Sequence, residues 1–126
     1  MANNPSRIIG AQAEALAVKF LQTQGLQILT TNYYHRFGEI DIIARSAKII
    51  IFVEVKSRLQ QRFGSALESV TVSKIKRLVK TAKHFLQTHK LMHCTYSRFD
   101  IITFQHQVNL SHLLWIKNAF QFESYL

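Results

Sequence analysis

One proline and four glycines in 126 residues leave no room for a Pro/Gly-rich linker, and no repeat or low-complexity stretch marks a boundary. The whole span 1–126 therefore reads as one domain. Long apolar runs are missing too. The longest, Ile49 to Val53, falls far short of the ~20 residues that a membrane helix needs, so no membrane partner is expected. Met1 to Arg7 is polar and lacks a signal-peptide core, which makes the cytoplasm the expected location. The single cysteine, Cys94, excludes an intrachain disulfide, in keeping with a reducing compartment. Acids are scarce as well: seven Asp plus Glu stand against 16 Lys plus Arg, a net charge of +9. Such a balance points to a polyanionic partner. It is equally compatible with plain solubility, because any basic surface attracts phosphate.

What is present is enough apolar residue, 48%, to build a core. The few acids are placed unevenly. Glu39, Asp41 and Glu54 fall close together, whereas Ser69 to Phe99 holds seven Lys or Arg and no acid. A local acidic cluster inside a basic chain suits a metal site facing a phosphate backbone.

Periodicity organises the chain. Apolar residues at Ile9, Ala13, Leu16, Ala17, Phe20 and Leu21 predict a helix over 8–24, stopped by Gly25. Glu14 falls on the stripe of Gly10, Ala17 and Leu21, where a carboxylate needs a partner. Strands are expected over 26–33, 37–44 and 48–57, the last two joined by a turn near Arg45 to Ala47 as a hairpin. A polar loop over 60–69 contains Gly64. A long helix follows from Thr71, a plausible N-cap, to His89, burying Ile75, Leu78, Val79, Ala82 and Leu86. Strands over 97–105 and about 112–117 complete an α/β or α+β sheet flanked by helices.

Alternation along a strand places residues i and i+2 on one face. Glu39, Asp41 and Ile43 then share a face, with Ile40 and Ile42 opposite. Phe52, Glu54 and Lys56 share a face of the next strand, with Val53 and Val55 opposite. If the hairpin register joins the two polar faces, Asp41, Glu54 and Lys56 converge. Two readings stand. One is a cross-strand ion pair, with Lys56 the obvious partner of Glu54. The other is a hydrolytic metal site. There Asp41, Glu54 and the Val55 backbone carbonyl offer hard oxygen ligands to Mg²⁺ or Mn²⁺. An ion so held polarises a phosphate and acidifies water. Lys56 would orient the attacking water or offset charge on the phosphate oxygens. Glu14 from the helix and Glu39 from the Asp41 face are candidate accessory ligands.

The runs GEIDIIA, FVEVKSR, FGSALESV before a basic helix, and RFDIITF, with NAF at Asn118 to Phe120, resemble the YraN-type bacterial family. That family is restriction-endonuclease-like and related in fold to archaeal Holliday-junction resolvases. The resemblance runs from about Arg7 to Phe120. It implies the PD-(D/E)xK nuclease core, an α/β fold with a mixed central β-sheet flanked by helices. It also implies that Asp41 is the metal-binding aspartate, Glu54 the second acid and Lys56 the catalytic lysine. The family's helix glutamate matches Glu14, although Ala13 stands where the family has glycine, and only the earlier Gly10 is kept. The resolvase kinship implies a homodimer.

The expected activity is hydrolysis of DNA phosphodiesters, in structured or branched DNA. The alternative is a non-catalytic nucleic-acid-binding module or an accessory partner of a DNA-processing complex. Arg58, Arg62, Lys74, Lys76, Arg77 and Lys80 are the expected nucleic-acid contacts, because a lysine-rich helix without acids has no i,i+4 partners of its own. Phe63 and Tyr34 are candidates to stack on a base. His89, His93 and Cys94 suggest zinc, but a fourth ligand is not evident.

Overall fold

The computed structural model describes residues 5–57, 71–92 and 96–120. Helix α1 (Pro5–Thr23) is followed by strands β1 (Gln27–His35), β2 (Gly38–Ser46) and β3 (Ile49–Val55). Helix α2 (Val72–Thr88), β4 (Tyr96–Phe104), a 3₁₀ turn at Leu110–His112 and β5 (Leu113–Phe120) complete the described chain. The five strands lie in sequence order. All neighbours are antiparallel except β3 and β4, which run parallel and therefore need a crossover, the connection that contains α2. The result is an α/β fold with a mixed sheet between helices, as the sequence leads one to expect. No described helix is long and apolar enough to cross a membrane.

Local chemistry sets the ends of both helices. Gly25, at φ +87°, closes α1. Its N–H donates to the Gln22 carbonyl (3.0 Å) while the Leu26 N–H reaches back to the Leu21 carbonyl (3.1 Å). This is the paired-bond stop that a left-handed glycine permits. Thr71 caps α2 by accepting the Lys74 N–H on its hydroxyl (3.1 Å).

Each helix covers one sheet face. Ala13, Ala17 and Leu21 of α1 pack with Ile42, Ala44, Ile51, Val53, Ile102 and Phe104. On the other face, Ile75, Leu78, Val79, Ala82, Phe85 and Leu86 of α2 pack with Ile43, Ile50, Phe52, Phe99 and Ile101. The β2–β3 turn is tighter than expected: the strands run to Ser46 and from Ile49, leaving Ala47, at φ +52°, and Lys48 between them.

One expectation fails in an instructive way. Ile40 and Ile42 do not share a face. Ile42 lies under α1, whereas Ile40 packs under α2 with Tyr33, its partner across the hairpin. Between these pairs Asn32 stands opposite Asp41, and Asn32 has φ +50°. A left-handed residue inside a strand breaks the two-residue alternation. The hairpin thus turns over at Asn32–Asp41: the near half alternates between the two cores, Ile42 and Ala44 under α1 and Ile43 under α2, whereas the far half contributes Ile40 and Tyr33 to the α2 core alone.

Candidate functional site

The turnover at Asn32 frees Asp41 from ordinary strand duty. The β2–β3 ladder pairs Ile42 with Val53, and just beyond it the Val55 N–H donates to Asp41 Oδ2 (2.8 Å). A side chain thus replaces the missing ladder carbonyl and draws the Asp41 carboxylate between the strands. Glu54, the residue opposite, is only 6% exposed. Its Oε2 pairs with Lys74 Nζ at 3.5 Å, while its Oε1 is buried without a hydrogen-bond partner. The ion pair therefore goes to Lys74 of α2, not to Lys56, the partner suggested by the strand. The β3 strand ends at Val55, but the Lys56 N–H still donates to the Ile102 carbonyl (2.8 Å), so the chain stays anchored to β4 while the half-buried Lys56 side chain emerges.

The electrostatics follow from this crowding. Burial pushes the Asp41 carboxyl up to about 6; the Val55 N–H opposes the rise, Glu14 and Glu39 add to it, and Lys74 counters. Burial raises Glu54 to about 7, Asp41 adds to the rise, and Lys74 and Lys56 oppose it. Lys56 is lowered, by burial first and then by Lys74, against the pull of Glu54 and Asp41. Two carboxylates and two lysines thus form one interacting group.

Of the remaining expected site residues, Glu14 is half-buried on α1 and accepts the Asn32 side-chain amide on Oε1 (3.0 Å), which fixes it behind Asp41. Glu39 is exposed and reaches the group only as a nearby charge. Lys76, Arg77 and Lys80 are exposed on α2. Arg58, Arg62, Phe63, Gly64, His93 and Cys94 lie outside the described residues. His89 is spoken for by α2: its Nδ1 lies 3.0 Å from the Phe85 carbonyl, and its ring stacks on Phe85.

Sequence reasoning treated Lys74 as a flanking contact, whereas the structure places it inside the group. The available signal was its position three residues past the Thr71 cap, which puts it on the first turn of α2. Asn32 was missed altogether; an asparagine between Thr31 and Tyr33, in a run otherwise suited to a strand, was the clue.

The donors Asp41, Glu54 and the Val55 carbonyl are hard oxygens, and a buried carboxylate oxygen without a partner is what a small divalent cation would satisfy. In that sense the residues fit Mg²⁺ or Mn²⁺. Among the described residues, no three His, Cys, Asp or Glu side chains come together as a ready-made metal group. The fit therefore rests on two side chains and a backbone oxygen.

Residues 13–104 match the family described as "Uncharacterised protein family UPF0102". The chain belongs to the UPF0102 family. The YraN-type resemblance is thereby borne out. The chain is similar to the UPF0102 protein of Vibrio parahaemolyticus, 44% identical over 90% of this chain and 92% of the relative. It is also similar to those of Acinetobacter baumannii (40%, covering 89% and 93%) and Nitrosococcus oceani (37%, covering 91% and 93%). The matched span contains Asp41, Glu54, Lys56 and Lys74, so the interacting group lies within the part of the chain that defines this UPF0102 member.

Proposed function

We propose that this protein is a divalent-metal-dependent nuclease that hydrolyses DNA phosphodiesters through Asp41, Glu54 and Lys56. One observation carries the reading: the half-buried Asp41 and the buried Glu54 stand together with their charges under-partnered, and one oxygen of Glu54 has no partner. Leaving a buried charge short of partners is costly, and an arrangement that retains that cost is set up for a ligand. The motif resemblance to the PD-(D/E)xK core and the net charge of +9 support the same conclusion.

In this reading Asp41, Glu54 and the Val55 carbonyl hold Mg²⁺ or Mn²⁺. When bound, the ion supplies Lewis-acid polarisation of a phosphate and a lower pKa for water. The chain's own residues do the rest. The Val55 N–H fixes one Asp41 oxygen and leaves the other free to coordinate. Lys56, whose proton is held less tightly than an ordinary lysine's, orients the attacking water and offsets charge on the phosphate oxygens. Lys74 neutralises Glu54 from the start of α2 and adds positive charge beside the helix N-terminus, where phosphate is favoured. Asn32 holds Glu14 in place behind Asp41.

The test is cleavage of duplex, single-stranded, flap and four-way-junction DNA in Mg²⁺, Mn²⁺ or EDTA. Asp41→Asn and Lys56→Ala should each lose about a hundredfold or more in rate while melting no lower than wild type. Variants that cut as well as wild type would sink the reading. Absence of cutting, with binding that weakens steeply in salt, would instead favour a nucleic-acid-binding module. The homodimer implied by the resolvase resemblance is part of the proposal, and light scattering of the purified protein decides it.

A further inference from the structure

The tip of the β1–β2 hairpin carries side chains that the carboxylate site does not use. Its strands close at the His35–Gly38 pair, leaving Arg36 and Phe37 at the turn. The tip is fixed on α2. Gly38 has φ +156°, and a Cβ built on it would stand 3.7 Å from Thr81 Oγ1 and 4.0 Å from Arg77 Cβ. Beneath it, the Tyr33 hydroxyl meets His84 Nδ1 at 2.6 Å, and the His35 ring stacks on His84 with centroids 3.6 Å apart. These contacts make a supported surface of the turn.

Phe37 is the odd residue there. It is half-buried, yet it belongs to neither hydrophobic cluster. The groups around its ring are the Arg36 guanidinium, 4.9 Å from the centroid, Lys80 Nζ at 5.2 Å, and the His35 ring at 5.5 Å. Two cations gathered on one aromatic repel each other, and the ring's negative face only partly offsets this. Among the described residues the ion pairs are Lys74–Glu54 and Arg98–Asp100, so Arg36, Arg77 and Lys80 have no carboxylate partner. A phenylalanine outside both clusters thus carries on its ring two cations that have no carboxylate partner among the described residues, on a supported turn.

We infer that Phe37, with Arg36, Arg77 and Lys80, is a stacking platform for an unpaired nucleobase. The substrate class that follows is nucleic acid with single-stranded character close to the cut. Only the words "close to the cut" rest on the nuclease reading. Stacking on an aromatic ring tolerates any base, and cations beside the ring hold the flanking phosphates. A paired base inside a duplex has both faces covered by its neighbours, so the ring adds nothing to binding of blunt duplex. Distances suit the assignment. Lys80 lies six residues beyond Lys74 on α2, about 9 Å along the helix. Phe37 lies four residues before Asp41, about 13 Å along the chain. At ~3.4 Å per base step, the platform stands three to four steps from the carboxylates.

The test is binding in EDTA, which separates it from cleavage. A labelled single strand of about 20 nucleotides and the blunt duplex of the same sequence are titrated at one low salt concentration against wild type, Phe37→Leu and Phe37→Trp. Phe37→Leu should weaken single-strand binding about tenfold or more and duplex binding less than about twofold, and Phe37→Trp should restore the loss. The inference is overturned if Phe37→Leu binds single strands like wild type, or weakens both substrates equally. If Phe37→Leu does not fold, Phe37→Trp decides alone: indole emission in excess of the wild-type Trp115 signal, quenched by single strand but not by duplex, supports the platform, and unquenched excess emission overturns it. A protein that cuts nothing yet shows this binding pattern loses the nuclease reading and keeps the platform. A protein that cuts through Lys56 with Phe37→Leu unaffected does the reverse.

Discussion

Two buried acidic centres in neighbouring parts of one sheet have opposite characters. Asp41 and Asp100 begin alike. Each sits at a strand irregularity and accepts a backbone N–H, Val55 for Asp41 and Asn118 for Asp100. Each lies beside a left-handed asparagine, Asn32 opposite Asp41 and Asn118 bonded to Asp100. Their other partners differ. Asp100, fully buried, also receives Arg98 Nε at 3.0 Å, Arg98 Nη2 at 3.2 Å and the Trp115 indole N–H at 2.8 Å. Every direction around that carboxylate is filled, and β5 is knotted to β4. Asp41, itself only half-buried, instead faces Glu54, a buried acid whose ion pair is long at 3.5 Å and whose second oxygen is bare. A satisfied buried charge holds a fold together, whereas an unsatisfied one is a standing cost that a ligand can relieve.

Breaking the satisfied centre should have the larger effect on stability. Asp100→Ala leaves Arg98, the Trp115 N–H and the Asn118 N–H without their shared acceptor, and is expected to cost about 3–5 kcal/mol in urea unfolding. A cost below about 1 kcal/mol would mean that the two centres do not differ as described. At the other centre the sign reverses. Asp41 and Glu54 bind protons more tightly in the folded chain than in the unfolded one. Their contribution is therefore most favourable below about pH 4 and is lost as pH rises through about 6 to 7. Glu54→Gln should stabilise the protein by about 1–2 kcal/mol at pH 8 and flatten the fall in melting temperature between pH 5 and pH 8. A wild-type melting temperature that does not fall over that range would remove the basis of the comparison. The smallest effect belongs to the hinge residue. Asn32→Gly keeps the left-handed backbone and loses only the bond to Glu14, about 1 kcal/mol or less. Asn32→Val adds backbone strain and should cost visibly more in the same melts.

The reach of sequence reasoning follows the range of the interactions. Local signals were readable: the Ala13, Ala17, Leu21 stripe, the Gly25 stop, the Thr71 cap and the shared face of Phe52 and Glu54 all rest on spacings of a few residues. The meeting of Asp41 with Glu54 was legible only as a condition on the register, because strand alternation gives the faces but the exact turn, Ala47 and Lys48, sets which residues stand opposite. What escaped was non-local or locally irregular. Strict alternation put Ile40 with Ile42, and one left-handed residue on the neighbouring strand undid that. Glu54 pairs with a lysine twenty positions away because α2 crosses over the sheet, a geometry that strand spacing does not contain. The knot of Arg98, Asp100, Trp115 and Asn118 likewise joins two strands through a bulge that has no sequence period.

The overturn of the hairpin at Asn32–Asp41 has a consequence for tolerance to change. The near half of the hairpin answers to both cores and the far half to the α2 core alone, so Asp41 sits at the fulcrum where the α1 core stops. Loosening either side is expected to tilt the lever and displace the carboxylate. Residues as remote as Leu21 and Leu78 are then held to their sizes by the chemistry as much as by packing, and this one aspartate gauges the fit on both faces of the sheet.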